Sequence, residues 1–138
     1  MLFAVPLTII PLIVYNVIAL IGGTGDPWTG EMFGLTMISG MRWVLTLGDL
    51  VIVLGIVCLF FEVLKSTNST SRAITNHVLS TIVLIVYIVE FIVVGFAAHS
   101  VFFILMVFSL FDVIAGFSIT IKTASRDVAL GRTLDTGP

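Results

Sequence analysis

Long apolar stretches alternate with short polar ones along the chain. Continuously apolar runs cover approximately 2–21, 43–64, 78–97 and 101–121. Each is close to the roughly 20 residues that a helix needs to cross about 30 Å of hydrocarbon. A membrane β-barrel would instead show short segments of alternating polarity. The pattern predicts an all-α integral membrane protein, a single transmembrane domain of four helices with a tail at 122–138.

Composition and charge support a membrane location. Of the 138 residues, 59% are hydrophobic and 10% are charged, and the mean hydropathy is +1.24. Soluble domains carry about 25% charged residues, so this chain could not cover a water-facing surface. The first span lacks the basic start and small-residue cleavage pattern of a signal peptide, and we expect it to be retained.

The distribution of Lys and Arg predicts the orientation. The link 65–77 contains Lys65 and Arg72 and no acid, and the tail contains three further cations, whereas the long link 22–42 contains only Arg42. The positive-inside rule then places both termini in the cytoplasm of a bacterial inner membrane. Three aromatic residues in or beside the link 22–42 are predicted to form an interfacial belt: Trp28, Phe33 and Trp43.

A few polar side chains interrupt the spans. Counting helical rise from the predicted ends puts Asn16, Asp49 and Glu90 at one level in the outer half of the bilayer, with Asp112 deeper. Intramembrane acids either hydrogen-bond in neutral form as packing residues or mark an ion path. Both interpretations stay open for the predicted intramembrane polar network, which comprises Asn16, Asp49, Tyr87, Glu90, Ser109 and Asp112.

Other positions have simpler interpretations. Glu62 lies near the cytoplasmic end with Lys65 three residues later, so we expect it to snorkel or to pair there. Small residues let membrane helices approach closely, and the predicted packing glycines are Gly48, Gly55 and Gly116. The fourth span carries a small, polar stripe that is predicted to face a partner subunit: Ser109, Asp112, Gly116 and Thr120.

Several chemistries are excluded. Cys58 is the only cysteine, which rules out a disulfide-exchanging enzyme. His77 and His99 lie at opposite ends of the third span, about 33 Å apart, and cannot jointly hold a haem. We expect no catalytic residue, cofactor site or metal site and no enzymatic activity. A pigment, quinone or lipid shared with a partner subunit stays open.

Two similarities bear on family. LGDLVIVLGI (47–56) and LFDVIAGFSI (110–119) share Leu-x-Asp before an apolar stretch, as in a weak tandem repeat. Small multidrug transporters carry a Glu in the first helix, where this chain offers only Asn16. The segments FAVPLTIIPLIVYN, LTLGDLVIVLG, FFEVLK, YIVEF and FDVIAGFSI…ASRDVALG together resemble a family of small four-helix inner-membrane proteins of alphaproteobacterial type. That resemblance implies the four-helix topology and no particular activity.

Three functions are compatible with these features. The first is a non-catalytic accessory or assembly subunit of a larger, energy-transducing inner-membrane complex, favoured by short soluble links and by small and aromatic residues on several helix faces. The alternative is a small oligomeric proton or cation transporter that uses the intramembrane carboxylates. A lipid or quinone binder is the third. The expected partners are membrane lipid and other integral membrane subunits or further copies of the chain, and no nucleic acid.

Overall fold

The computed structural model describes residues 5–67 and 73–134, which are mostly helical. Its α-helices are α1 (Ile9–Ile21), α2 (Leu47–Thr67), α3 (Ala73–Val93) and α4 (Ser100–Leu134). An antiparallel hairpin, β1 (Glu31–Thr36) and β2 (Arg42–Thr46), connects α1 to α2, and single 3-10 turns occupy Pro27–Thr29 and Gly95–Ala97. We call the end of the bundle where α2 begins the hairpin end, and the end where α2 finishes the linker end.

Three of the described helices are long and apolar enough to cross a membrane. They contain the windows Leu47–Thr67, Thr75–Val93 and Ser100–Ile119. This confirms a helical protein suited to a membrane. The first predicted span is not confirmed as a membrane crossing, because α1 has 13 residues and is only about 20 Å long.

Proline explains the late start of α1. A proline has no N–H to donate and clashes with the preceding turn, so a helix tolerates it only near its start. Pro11 is the third residue of α1, and Pro6 lies before the helix. The helix therefore begins at Ile9, and residues 5–8 are not helical. The first residues of the predicted span, 2–4, lie outside the described ranges.

The other helix boundaries also differ from the predicted spans. Trp43 belongs to β2, and α2 begins only at Leu47. A reciprocal capping box fixes this start: the Asp49 carboxylate accepts from the Thr46 N–H at 2.9 Å, and the Asp49 N–H donates to the Thr46 hydroxyl at 3.2 Å. Helix α3 begins and ends earlier than predicted, and α4 continues through most of the predicted tail at 122–138.

The hairpin was not predicted. Its loop is Ile38-Ser39-Gly40, closed by the Met37 N–H donating to the Met41 carbonyl at 2.8 Å. Gly40 has φ 82°, a conformation that other residues rarely adopt and that suits the last position of a three-residue hairpin loop.

Helix α4 lies at the centre of the bundle and packs against both α2 and α3. All three predicted packing glycines are buried at helix contacts. An added Cβ would lie 2.9 Å from Val101 at Gly48 and 2.6 Å from Leu105 at Gly55, and at Gly116 it would collide with the His77 ring. Each of these close contacts is therefore possible only because glycine has no side chain.

An aromatic core fills the hairpin half of the bundle. Tyr15 is fully buried, its ring stacks on Trp28 at 4.1 Å, and its hydroxyl donates to the Phe96 carbonyl at 2.7 Å. Trp28 is itself only 5% exposed. Its predicted place in an interfacial belt is therefore wrong, since the 3-10 turn at Pro27–Thr29 folds the indole over α1. Phe33 and Trp43 are exposed on the hairpin.

Candidate functional site

The segment 5–8, which precedes α1, lies deep along the bundle. Measured from the hairpin end of their own helices, Glu62, Ser80 and Asp112 lie about 18–22 Å away, level with the start of α1. Non-helical backbone at such a depth in hydrocarbon is tolerated only where protein groups satisfy its hydrogen bonds. The candidate site is the set of side chains that surround this segment.

Glu62 is the central acceptor of the site. Its carboxylate is 0% exposed and accepts from the Leu7 N–H at 2.8 Å and from the Asn76 side-chain amide at 2.8 Å. The Lys65 ammonium also lies 2.8 Å from this carboxylate. The expected pairing with Lys65 is present, but Glu62 points inward instead of snorkelling, because the N-terminal segment and Asn76 offer it donors. A carboxylate beside a helix N-terminus is also favoured by the helix dipole.

Two further side chains satisfy carbonyls of the segment. Lys65 donates to the Val5 carbonyl at 3.1 Å, and the Tyr87 hydroxyl donates to the Thr8 carbonyl at 3.1 Å. Donors and acceptors from α2 and α3 thus hold the start of α1. We call these side chains the N-terminal clamp: Glu62, Lys65, Asn76 and Tyr87.

Asp112 approaches the same segment from α4. The Thr8 hydroxyl donates to the Asp112 carboxylate at 3.4 Å, and Asp112 is 3% exposed. The Ser80 side chain lies beside this carboxylate. The hydroxyls of Ser80 and Ser109 are fully buried and have no hydrogen-bond partner of regular geometry among the described residues. Buried hydroxyls of this kind are normally satisfied by an ordered water or an ion.

The stripe of helix α4 that was predicted to face a partner is internal. Ser109, Asp112 and Gly116 are all buried, and the ring of His77 from α3 covers Gly116. The prediction was wrong because α3 and the segment 5–8 supply the close neighbours that a second subunit was expected to provide. The side chain of Thr120 lies outside the described part of the structure. The opposite face of α4 is exposed and apolar: Phe103, Leu110, Phe111, Ile114, Phe117 and Ile121.

The structure does not bring the remaining predicted network residues together. Asn16 donates to the Leu12 carbonyl of its own helix at 3.1 Å. Asp49 is exposed in the first turn of α2, where it caps the helix. Glu90 is half-buried one turn before the end of α3, and its side chain bonds to none of the described residues. Of the predicted set, Tyr87 and Asp112 are linked because each forms a hydrogen bond with Thr8. Ser109 lies one turn from Asp112.

Thr8 and Asn76 were not predicted from the sequence, Ser80 was predicted only to share a helix face with Tyr87, and Glu62 and Lys65 were predicted only as a local pair. A signal for the site was nevertheless present. Two prolines within the first 11 residues restrict where a helix can start, and a helix that starts inside the bilayer requires partners for its first N–H groups. The weak repeat between 47–56 and 110–119, by contrast, aligns two residues in different environments, since Asp49 is exposed and Asp112 is buried.

Histidines and acids do not converge on a metal site within the described residues. His77 lies near the linker end, while His99 lies at the hairpin end with its Nε2 3.9 Å from the Asp26 carboxylate. A shallow groove of about 300 Å³ opens beside His99, lined also by Phe91, Ala98, Ser100 and Phe103. Comparisons with protein-family models, curated proteins and solved structures found no match to this chain.

Proposed function

We propose that the chain is a four-helix protein of a bacterial inner membrane, with both termini in the cytoplasm. We further propose that it serves as a non-catalytic accessory or assembly subunit of a larger, energy-transducing complex. The crossing by α2, α3 and α4 is supported by their length and apolar character. A fourth crossing, by α1 together with residues 5–8, is supported by the N-terminal clamp, which makes non-helical backbone tolerable at that depth.

One observation carries the accessory role. Glu62, Lys65 and Asp112 bond within this chain's own fold, whereas the outward face of α4 presents large aromatic side chains. Phe103, Phe111 and Phe117 are 47%, 55% and 50% exposed. The outward face of α3 carries β-branched aliphatic residues, among them Ile85 and Val89. Aromatic side chains are enriched at protein interfaces, so α4 is the proposed partner face and α3 the lipid face.

The test is purification of the full chain from its own membranes in mild detergent, with identification of the proteins that accompany it in fixed ratio. A double variant on α4, Phe111→Ala with Ile114→Ala, should lose those partners. The matched variant on α3, Ile85→Ala with Val89→Ala, should retain them. Recovery of the wild-type chain alone, even from membranes that were cross-linked before solubilisation, would refute the proposal.

A second candidate function is a proton or cation carrier, and a specific observation favours it. Asp112 lies beside the buried Ser80 hydroxyl and one turn from the buried Ser109 hydroxyl, which lacks a partner among the described residues. Oxygen atoms in this arrangement suit a water-borne proton or a monovalent cation. Purified protein in sealed vesicles should then dissipate an imposed proton or sodium gradient, and Asp112→Asn should abolish that flux. No flux above that of protein-free vesicles would remove this candidate and leave the accessory role untouched.

A further inference from the structure

The hairpin between α1 and α2 has two chemically different faces. Its register pairs Phe33 with Leu45 and Leu35 with Trp43, and successive residues of a strand point to opposite sides. These four side chains therefore share one face, and the rings of Phe33 and Trp43 contact each other there with centroids 6.5 Å apart. This apolar face contains no charged residue.

Charges lie on the opposite face. The Arg42 guanidinium bonds to the Glu31 carboxylate, and both side chains lie over Gly34, where an added Cβ would be 3.0 Å from Arg42 Nη2. Thr36, the strand partner of Arg42, shares this side. The polar face thus carries an ion pair with no net charge, and it alternates with the apolar face at the strand period of two.

Most of the apolar face is uncovered by the described chain, and only Leu45 is half-buried. Phe33, Leu35 and Trp43 are 53%, 50% and 48% exposed. The loop and the two residues that close it add three exposed apolar side chains: Met37, Ile38 and Met41. An isolated two-stranded hairpin is at best marginally stable in water, so a surface must support this one.

The position of the hairpin indicates that the surface supporting it is the membrane. Strand β2 runs into α2 without a linker, the Leu47 N–H donates to the Gly30 carbonyl at 3.0 Å, and the Thr46–Asp49 capping box locks the junction. The hairpin is therefore held at the level where a candidate span enters the bilayer. Tryptophan favours the lipid–water boundary, and amphipathic elements lie in that boundary with their apolar face inward.

We propose that the hairpin Glu31–Thr46 lies flat in the lipid–water interface. Phe33, Leu35, Trp43 and Leu45 contact the boundary between headgroups and acyl chains, and the Arg42–Glu31 pair faces water. The hairpin then acts as a lateral anchor that fixes the depth of α2. This inference depends on the membrane crossing of α2 and is independent of the accessory role.

Adjacent residues on opposite faces provide the test. In a Cys58→Ala background, which removes the only native thiol, Leu35→Cys and Thr36→Cys are each labelled with the environment-sensitive fluorophore NBD. The full chain is reconstituted into phosphatidylcholine–phosphatidylglycerol vesicles with or without a lipid that carries a nitroxide near its headgroup. The probe at position 35 should emit at shorter wavelength and be quenched at least about twofold more than the probe at position 36, because the apolar face of such an element lies about 5–10 Å deeper.

Three outcomes would overturn the proposal. Water-like emission from both positions in the vesicles would show that the hairpin stands clear of the lipid. Equal quenching at both positions would exclude a face-on arrangement. A position-35 probe that is shielded in native membranes but water-exposed in the vesicles would show that another protein, and not lipid, covers this face.

Discussion

Replacing Glu62 by leucine removes the acceptor on which the N-terminal clamp depends. The carboxylate is fully buried and receives donors from Leu7, Lys65 and Asn76. In Glu62→Leu the Leu7 N–H and the Asn76 amide lose their acceptor inside the protein. A buried donor without a partner costs about 1–3 kcal/mol. Hydrogen bonds between membrane helices average only about 0.6 kcal/mol, so we expect the loss of two donors to cost an amount near the lower end of twice that range.

We therefore expect Glu62→Leu to lower the free energy of unfolding by about 3 kcal/mol. Glu62→Gln should cost only about 1 kcal/mol, because it keeps one oxygen for Leu7, and Asn76, whose own Oδ1 has no partner among the described residues, can rotate to accept from the new amide. Lys65 contributes less to either loss, since its side chain is 22% exposed and it keeps the Val5 carbonyl.

The assay is reversible unfolding by sodium dodecyl sulfate in mild-detergent micelles, followed by far-ultraviolet circular dichroism. Glu31→Gln is the matched control, since Glu31 also pairs with a cation but is exposed, and exposed pairs contribute little. Unfolding of Glu62→Leu at the wild-type detergent fraction would contradict a stabilising role for the buried carboxylate. An equal loss of stability in the glutamine and leucine variants would contradict the hydrogen bonds assigned to it.

Further predictions concern packing and topology. Gly55→Ala should destabilise the bundle, because the new Cβ would lie 2.6 Å from Leu105, whereas Gly95→Ala, with nothing within 4 Å, should match wild type in the same detergent titration. Tyr15→Phe should cost about 1 kcal/mol through its lost hydrogen bond to a backbone carbonyl, and equal stability would contradict that contact. In a cysteine-free background, Ser39→Cys should react with an impermeant maleimide applied to intact cells and Ser66→Cys should not; the reverse pattern would invert the proposed orientation.

Hydropathy alone predicted α2, α3 and α4, because about 20 consecutive apolar residues have few alternatives in a membrane protein. The same measure placed the second span too early. Residues 43–46 are mostly apolar, so hydropathy assigns them to the span. Only the turn residues Ser39 and Gly40, with an apolar run on each side, indicate that they form a strand of a hairpin. That shift of about one turn moved Asp49 from the predicted interior to the exposed start of α2.

The candidate site was less accessible from sequence. Leu7 and Glu62 are 55 residues apart, and Thr8 and Asp112 are 104 residues apart, so no local pattern links them. The depths of the polar residues were counted from the ends of the apolar runs. That count was wrong for α2, which starts at Leu47 behind its capping box, and it gave no sign that residues 5–8 lie outside α1. The side chains that meet around residues 5–8 could be recognised only after both helix starts were known.

The clamp has a consequence for the order in which the protein is built. The segment at residues 5–8 is synthesised before α2 and α3: its acceptor on Glu62 follows 55 residues after Leu7, and its donor on Tyr87 follows 79 residues after Thr8. If α1 and residues 5–8 cross the membrane as proposed, their backbone groups have no partner in hydrocarbon until α2 and α3 have entered it. Under that proposal, stable insertion of this segment is a late, tertiary event, and a nascent chain that stops after α2 should hold α1 less firmly than the finished protein does.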